Sequence, residues 1–165
     1  MKRFPVLIVA ATALAVFASP AIAQTSIATA PTAGPTAGQK NGEHPHRLIL
    51  QVNTNDPAAM NLALNNAANV DQYYSDKGDP VEIEIVTFGP GLNMLRDDTS
   101  PVKDRIKSMA ESRPSISFKA CGNTQAGMAK AENKKIVLLP QASVVKSGVV
   151  RVMELQEQGW SYVKP

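Results

Sequence analysis

Two spacings of apolar residues alternate along residues 46–165. Short apolar runs rich in β-branched residues, such as residues 47–52, predict strands that are buried in a sheet. Between these runs, apolar residues recur every three or four positions, which is typical of a helix that packs by one face. The chain therefore indicates strands and helices in regular succession.

Local capping and turn signals divide the pattern into elements. Asn55 or Asp56 is expected to cap the first helix, with Pro57 at its first position. Ser100-Pro101 and Ser147 are expected to begin two further helices, while Asn123 is expected to cap a weak one. The helices are expected to stop near Lys77-Gly78-Asp79-Pro80, Arg113-Pro114, Asn133 and Gly159. Five strands are predicted, over residues 47–52, 81–88, 116–120, 142–146 and 160–164. Residues 136–139 fit either a strand or a buried helical turn.

Strands that alternate with helices of ten or more residues imply crossover connections. We therefore predict an α/β fold: a single domain with about five mostly parallel strands and helices on both faces of the sheet.

The N-terminal part of the chain predicts export. Lys2 and Arg3 precede an apolar run that is too short to span a bilayer, and small residues follow at positions 21–23. We expect a signal peptide over residues 1–23, cleaved after Ala23, and a periplasmic protein. Residues 24–45 are rich in Pro, Thr, Ala and Gly and are expected to be a disordered leader, which leaves residues 46–165 as the domain.

Charge gives little support for a nucleic-acid or membrane partner. The chain has 17 basic and 14 acidic residues, and loss of Lys2 and Arg3 leaves 15 against 14, a net charge of +1. Nucleic-acid binding needs basic residues clustered on one face, and no such cluster is visible in the sequence. We expect neither a nucleic-acid partner nor a membrane association after signal cleavage.

Cys121 is the single cysteine, and it falls where the third predicted strand runs into a helix. A lone thiol is buried filler, a reactive group, or a link to another molecule. Functional groups of parallel sheets gather where strands end, so three loops are expected to line one crevice with this cysteine. The candidate binding residues in those loops are Asn53, Gly89, Gly91, Gly122 and Asn123.

A thiol at a helix N-terminus is expected to have a lowered pKa, because free amides and the helix dipole stabilise the thiolate. Other chemistries have weaker signals. His44 and His46 lie at the edge of the domain, poorly placed as a base or as metal ligands, so no metal site is expected. Glycine-rich nucleotide motifs are absent from the sequence, and no cofactor is expected.

Four segments of the chain are distinctive: residues 48–53, residues 89–92, residues 118–124 and the tail at 147–162. Together they resemble the DsrE/DsrF-like family, which is related to sulfur-relay proteins. The resemblance implies a compact α/β domain that commonly forms oligomers, so a homo-oligomer is expected. In the relay relatives a cysteine after a central strand carries sulfur as a persulfide, and Cys121 is the matching position. The relatives work in the cytoplasm, so an exported chain would need a different sulfane-sulfur donor and acceptor thiol.

Three functions follow as alternatives. The first is a periplasmic persulfide carrier or sulfurtransferase-like protein that uses Cys121. The second is a non-enzymatic ligand-binding or assembly module in which Cys121 is structural. The third is a subunit-bridging disulfide at Cys121.

Overall fold

The computed structural model describes residues 44–165 and contains one five-stranded sheet in which all neighbouring strands are parallel. The predicted α/β class and the single sheet domain are therefore confirmed. The expected signal peptide and all but the end of the expected leader lie outside the described residues.

The elements follow one another as strand and helix along the chain. The strands are β1 (His46–Val52), β2 (Val81–Thr87), β3 (Ile116–Cys121), β4 (Ala142–Val145) and β5 (Ser161–Val163). The helices are α1 (Pro57–Ser75), α2 (Lys103–Ser112), α3 (Gly122–Glu132) and α4 (Gly148–Glu157). A 3₁₀ helix (Gly89–Leu95) lies between β2 and α2.

Local signals explain where α1 and α4 begin and end. The Asp56 side chain caps α1 by accepting a hydrogen bond from the Ala58 N–H at 2.9 Å, and Pro57 is the first helical residue. Ser147 caps α4 through the Val150 N–H at 3.5 Å. Gly159 follows that helix with φ of +84°, a conformation that glycine adopts without steric cost. These predictions are confirmed.

Two predicted caps are wrong. Helix α2 begins at Lys103 after Val102, and the Ser100 hydroxyl instead donates to the Met94 carbonyl at 2.5 Å. The third helix begins one residue after the end of β3, so its N-cap is Cys121 and not Asn123. The strand passes into the helix without a loop, which leaves the sulfur in the place that a capping oxygen usually takes.

The stretch after β2 and the stretch before β4 also differ from expectation. The glycine-rich turn at 89–91 opens a 3₁₀ helix that the apolar spacing did not predict. Residues 136–139 form neither a strand nor a helical turn: Leu138 makes an isolated antiparallel bridge with Arg96, and the Leu139 N–H donates to Leu95.

Strand order divides the helices between the two faces of the sheet. The order is β4-β3-β2-β1-β5, so the chain moves outward from β1 to β4 and then crosses to the far side of β1. The larger core packs α1, the 3₁₀ helix, α2 and part of α3 on one face. The smaller core packs Val152 and Leu155 of α4 against Ile49 and Val86 on the opposite face. Helices on both faces, as predicted, are therefore confirmed.

Within residues 44–165, none of the helices has both the length and the apolar character needed to cross a bilayer.

Candidate functional site

The connections after β3 and β4 leave the sheet toward opposite faces. Helix α3 follows β3 onto the face of the larger core, and α4 follows β4 onto the other face. Neighbouring parallel strands whose connections diverge in this way open a crevice at their carboxyl ends, where α/β proteins commonly bind ligands. Cys121 is the last residue of β3 and lies at this point.

Cys121 is enclosed but surrounded by polar backbone. The residue is 4% exposed, and its sulfur accepts a hydrogen bond from the Thr124 N–H at 3.4 Å. This is the geometry of a helix N-cap, in which a side-chain acceptor satisfies a free amide of the first turn. The sulfur therefore lies among hydrogen-bond donors at the positive end of the α3 dipole.

The start of α4 approaches the same sulfur from the other side of the crevice. The Gly148 amide contributes to lowering the pKa of the Cys121 thiol. A methyl group on Gly148 would lie 2.9 Å from the Phe88 ring and 3.3 Å from the Cys121 Cβ, so only glycine lets α4 begin this close. Two helix N-termini consequently converge on one thiol.

Thr124 links the thiol to the loop after β2. The Gly89 N–H donates to the Thr124 hydroxyl oxygen at 3.0 Å. The Thr124 side chain also contributes to lowering the pKa of the Cys121 thiol. Since Gly89 occupies an acceptor position on the hydroxyl oxygen, the hydroxyl proton remains available as a donor.

These contacts lower the pKa of the Cys121 thiol. Burial raises that pKa, but hydrogen bonds from the Thr124 side chain and from the Gly148, Thr124 and Asn123 amides outweigh burial. The Asn123 amide also donates to the Lys146 carbonyl at 3.2 Å. The site therefore stabilises a thiolate, the form of cysteine that acts as a nucleophile.

The predicted binding residues divide into two groups. Gly89, Gly122 and Asn123 surround the cysteine, whereas Asn53 lines a separate cavity of about 140 Å³ beside the C-terminal residues. A methyl group on Gly91 would overlap the Val52 carbonyl, so this glycine packs the 3₁₀ helix against β1 and does not face the cysteine.

Gly122 has a packing role. A methyl group on Gly122 would lie 3.1 Å from the Val144 side chain and 3.2 Å from the Val145 carbonyl, so this glycine allows close packing on β4. The amides that lower the pKa of the Cys121 thiol belong to Gly148, Thr124 and Asn123, and not to Gly122.

A cavity of about 620 Å³ opens at the start of α4, and Cys121 is not among the residues that line it. It combines polar and charged side chains with two valines, a lining suited to a small polar molecule. Its lining residues are Asn123, Val145, Lys146, Ser147, Val150, Arg151 and Glu154, so Asn123 connects the cavity to the cysteine.

The sequence analysis missed the buried charges that fix the walls of the site. Glu84 of β2 forms a bidentate salt bridge with Arg151 of α4, with contacts of 2.5 and 2.9 Å. This pair fastens α4 to the sheet from within the smaller core. The alternating glutamates in residues 81–85 indicated that one face of β2 is polar. They did not indicate which helix supplies the basic partner of Glu84.

A second ion-pair network, built around the buried side chain of Arg96, fastens α3. Arg96 is 3% exposed, and its guanidinium contacts both Asp98 and Glu132. Hydrogen bonds from Arg96 and then Lys134 lower the pKa of Glu132 to about 2. This network holds the C-terminal end of the helix whose N-terminus carries the cysteine.

The two histidines do not come together with other metal-binding side chains. The His46 ring stacks on Tyr74 with centroids 3.8 Å apart, and His44 is exposed. Among residues 44–165, no group of three or more His, Cys, Asp or Glu side chains could hold a metal ion.

Comparison with known proteins finds similarity to a solved structure. No family model matches the chain, and no curated protein matches it. A solved protein of unknown function from Methanobacterium thermoautotrophicum is 27% identical, with a TM-score of 0.62. The match covers 73% of this chain and 99% of that protein, so the described domain is similar to a complete protein.

Proposed function

We propose that this protein is an exported, DsrE-like sulfur carrier in which Cys121 holds sulfur as a persulfide. The supporting observation is the Thr124 amide of α3 that donates to the Cys121 sulfur, with the start of α4 packed beside the same residue, together with the lowered pKa of that thiol. The resemblance to the DsrE/DsrF-like family supports the same chemistry. The expected signal peptide supports a periplasmic location for this carrier.

The chemical step is a thiolate attack on a sulfane sulfur. The Cys121 thiolate attacks the terminal sulfur of a donor persulfide, R–S–SH, and a new S–S bond forms. The bond between the two donor sulfurs breaks, and the donor leaves as the thiolate R–S⁻. An acceptor thiolate then repeats the exchange on the Cys121 persulfide, so there is no net oxidation and no cofactor is needed.

Mass spectrometry tests this proposal. We expect the intact protein to gain about 32 Da, one sulfur atom, after incubation with polysulfide at neutral pH. A thiol acceptor or cyanide should remove the added mass. The Cys121→Ser variant is the control, and an adduct that persists in it, or no adduct in the wild type, would contradict a carrier function.

The 4% exposure of Cys121 favours a second candidate function, a non-enzymatic ligand-binding module with a structural cysteine. The cavity would then hold the ligand without covalent chemistry. Thiol titration separates the two candidates. Modification of the folded protein within minutes supports the carrier, whereas protection until denaturation supports the module.

A further inference from the structure

One face of α4 forms a wall of the cavity that opens at the start of that helix. The wall residues are Ser147, Val150, Arg151 and Glu154, and the last three lie three, four and seven positions after the first, which places all four on one side of the helix. A rise of about 1.5 Å per residue makes this wall about 10 Å long. The cavity volume of about 620 Å³ lies within the range of ~300–1,000 Å³ that is typical of small-molecule sites.

The cavity has an unpaired positive charge toward one end and an unpaired negative charge toward the other. Lys146 lies between β4 and α4, and Glu154 lies about two turns along α4. Both residues are exposed, and neither forms a salt bridge within the part of the chain that the structure describes. The remaining charge of the lining, Arg151, is already paired with Glu84. Lys146 and Glu154 are therefore the two charges that a ligand can neutralise.

We propose that this cavity binds a short peptide thiol whose terminal carboxylate pairs with Lys146 and whose terminal ammonium group pairs with Glu154. An extended peptide spans about 3.3–3.6 Å per residue, so about three residues match the length of the wall. Val145 and Val150 provide apolar contacts for the body of the peptide. The thiol in this assignment rests on the proposed function, since Cys121 needs a small molecule that delivers or accepts a sulfane sulfur.

The sulfur of the peptide is expected toward the Lys146 end of the cavity. Asn123 lines the cavity, and its amide donates to the Lys146 carbonyl at 3.2 Å, so the start of α3 lies at that end. Cys121 is the N-cap of the same helix, two residues before Asn123. The Cys121 thiolate attacks the terminal sulfur of the peptide persulfide, the S–S bond of the donor breaks, and the peptide leaves as its thiolate.

The two charges disfavour an inorganic sulfur donor such as thiosulfate. An anion is attracted by Lys146 but is repelled by Glu154. A zwitterionic peptide is attracted at both ends, so the cavity discriminates between the two classes of donor through Glu154.

Isothermal titration calorimetry of the purified protein with glycyl-S-methylcysteinyl-glycine tests the binding step. This tripeptide has one ammonium group and one carboxylate, and the methyl group on its sulfur prevents sulfur exchange. Lys146→Gln and Glu154→Gln should each raise the dissociation constant about fivefold, the effect of losing an ion pair at the upper end of the range for exposed pairs. Lys130→Gln and Glu157→Gln remove the same charges from exposed positions outside the lining, and both should bind like the wild type.

Peptides with a blocked terminus test which end meets which residue. The C-terminally amidated peptide should bind the wild type about fivefold more weakly, and Lys146→Gln should weaken its binding no further. The N-acetylated peptide should show the same relation with Glu154→Gln. Circular dichroism checks that each variant is folded. No binding at millimolar peptide, binding that neither cavity variant weakens, equal losses in the control variants, or additive losses from amidation and Lys146→Gln would each overturn the proposal.

Sulfur loading separates this inference from the proposed function. Glu154→Gln should slow the loading of Cys121 by the peptide persulfide about fivefold. The same variant should not slow loading by anionic polysulfide, because it removes a repulsion. Peptide binding without any sulfur adduct would refute the carrier function and support the cavity as a peptide site. A polysulfide adduct on Cys121 in a protein that does not bind the peptide would refute the peptide site and leave the carrier function standing.

Discussion

Replacement of Thr124 by valine tests how much the Thr124 hydroxyl contributes to the reactivity of the Cys121 thiol. Valine has nearly the shape of threonine, so the packing around the start of α3 is kept while the hydroxyl is lost. The hydroxyl accepts the Gly89 N–H at 3.0 Å, and the Thr124 side chain contributes to lowering the pKa of the Cys121 thiol. The substitution should therefore change both stability and thiol reactivity.

The expected magnitudes follow from those two contacts. Loss of the acceptor for Gly89 should lower the free energy of unfolding by about 1 kcal/mol, the net value of an ordinary hydrogen bond. A hydrogen bond to a charged group is worth about 1.5–3 kcal/mol, and sulfur, a weak acceptor, places this one at the lower end. The acid dissociation constant of the Cys121 thiol should then fall about tenfold, since 1.36 kcal/mol corresponds to a factor of ten.

Alkylation kinetics measure the effect on the thiolate. At pH values below the thiol pKa, the rate of reaction with iodoacetamide should be about tenfold lower for Thr124→Val than for the wild type, because the thiolate is the reactive form. Thr124→Ser keeps the hydroxyl and should react at close to the wild-type rate. Equal rates for the valine variant and the wild type, or a serine variant as slow as valine, would refute the role given to this hydroxyl.

Three further changes probe the walls of the site. Gly91→Ala should lower the free energy of unfolding by about 3 kcal/mol or more in denaturant titrations, because the new methyl group overlaps the Val52 carbonyl. Gly148→Ala should slow alkylation of the cysteine while the protein stays folded, because the methyl group moves an amide donor away from the sulfur. Arg96 lowers the pKa of Glu132 to about 2. The Glu132 carboxylate therefore stabilises the fold fully above about pH 4.5, and this stabilisation is lost as the pH falls toward 2. Glu132→Gln should therefore flatten the decrease in unfolding free energy over that pH range.

Elements with a local cause could be predicted from the sequence. Pro57 after Asp56 marks the start of α1, and Ser147 and Gly159 mark the two ends of α4. The alternation after Arg113-Pro114 marks β3 and leads directly to Cys121. Each of these depends on residues within a few positions of one another, so the sequence alone carries the information.

Features that depend on strand order could not be predicted. Nothing local shows that β5 returns beside β1, or that β3 and β4 form the point where the connections diverge. The contribution of Gly148 to the thiol depends on that order, as does the pairing of Glu84 with Arg151, 67 residues apart. The Cys-x-x-Thr spacing from Cys121 to Thr124 was a readable signal for the cap, since a cap acceptor contacts the amide three residues onward.

The pH dependence of Cys121 modification in the folded wild-type protein tests the central claim most directly. The account predicts that iodoacetamide reacts with the native protein and that the rate reaches half its maximum below pH ~8.5, the pKa of a free cysteine. A midpoint at or above that value, or a thiol that reacts only after unfolding, would contradict the account.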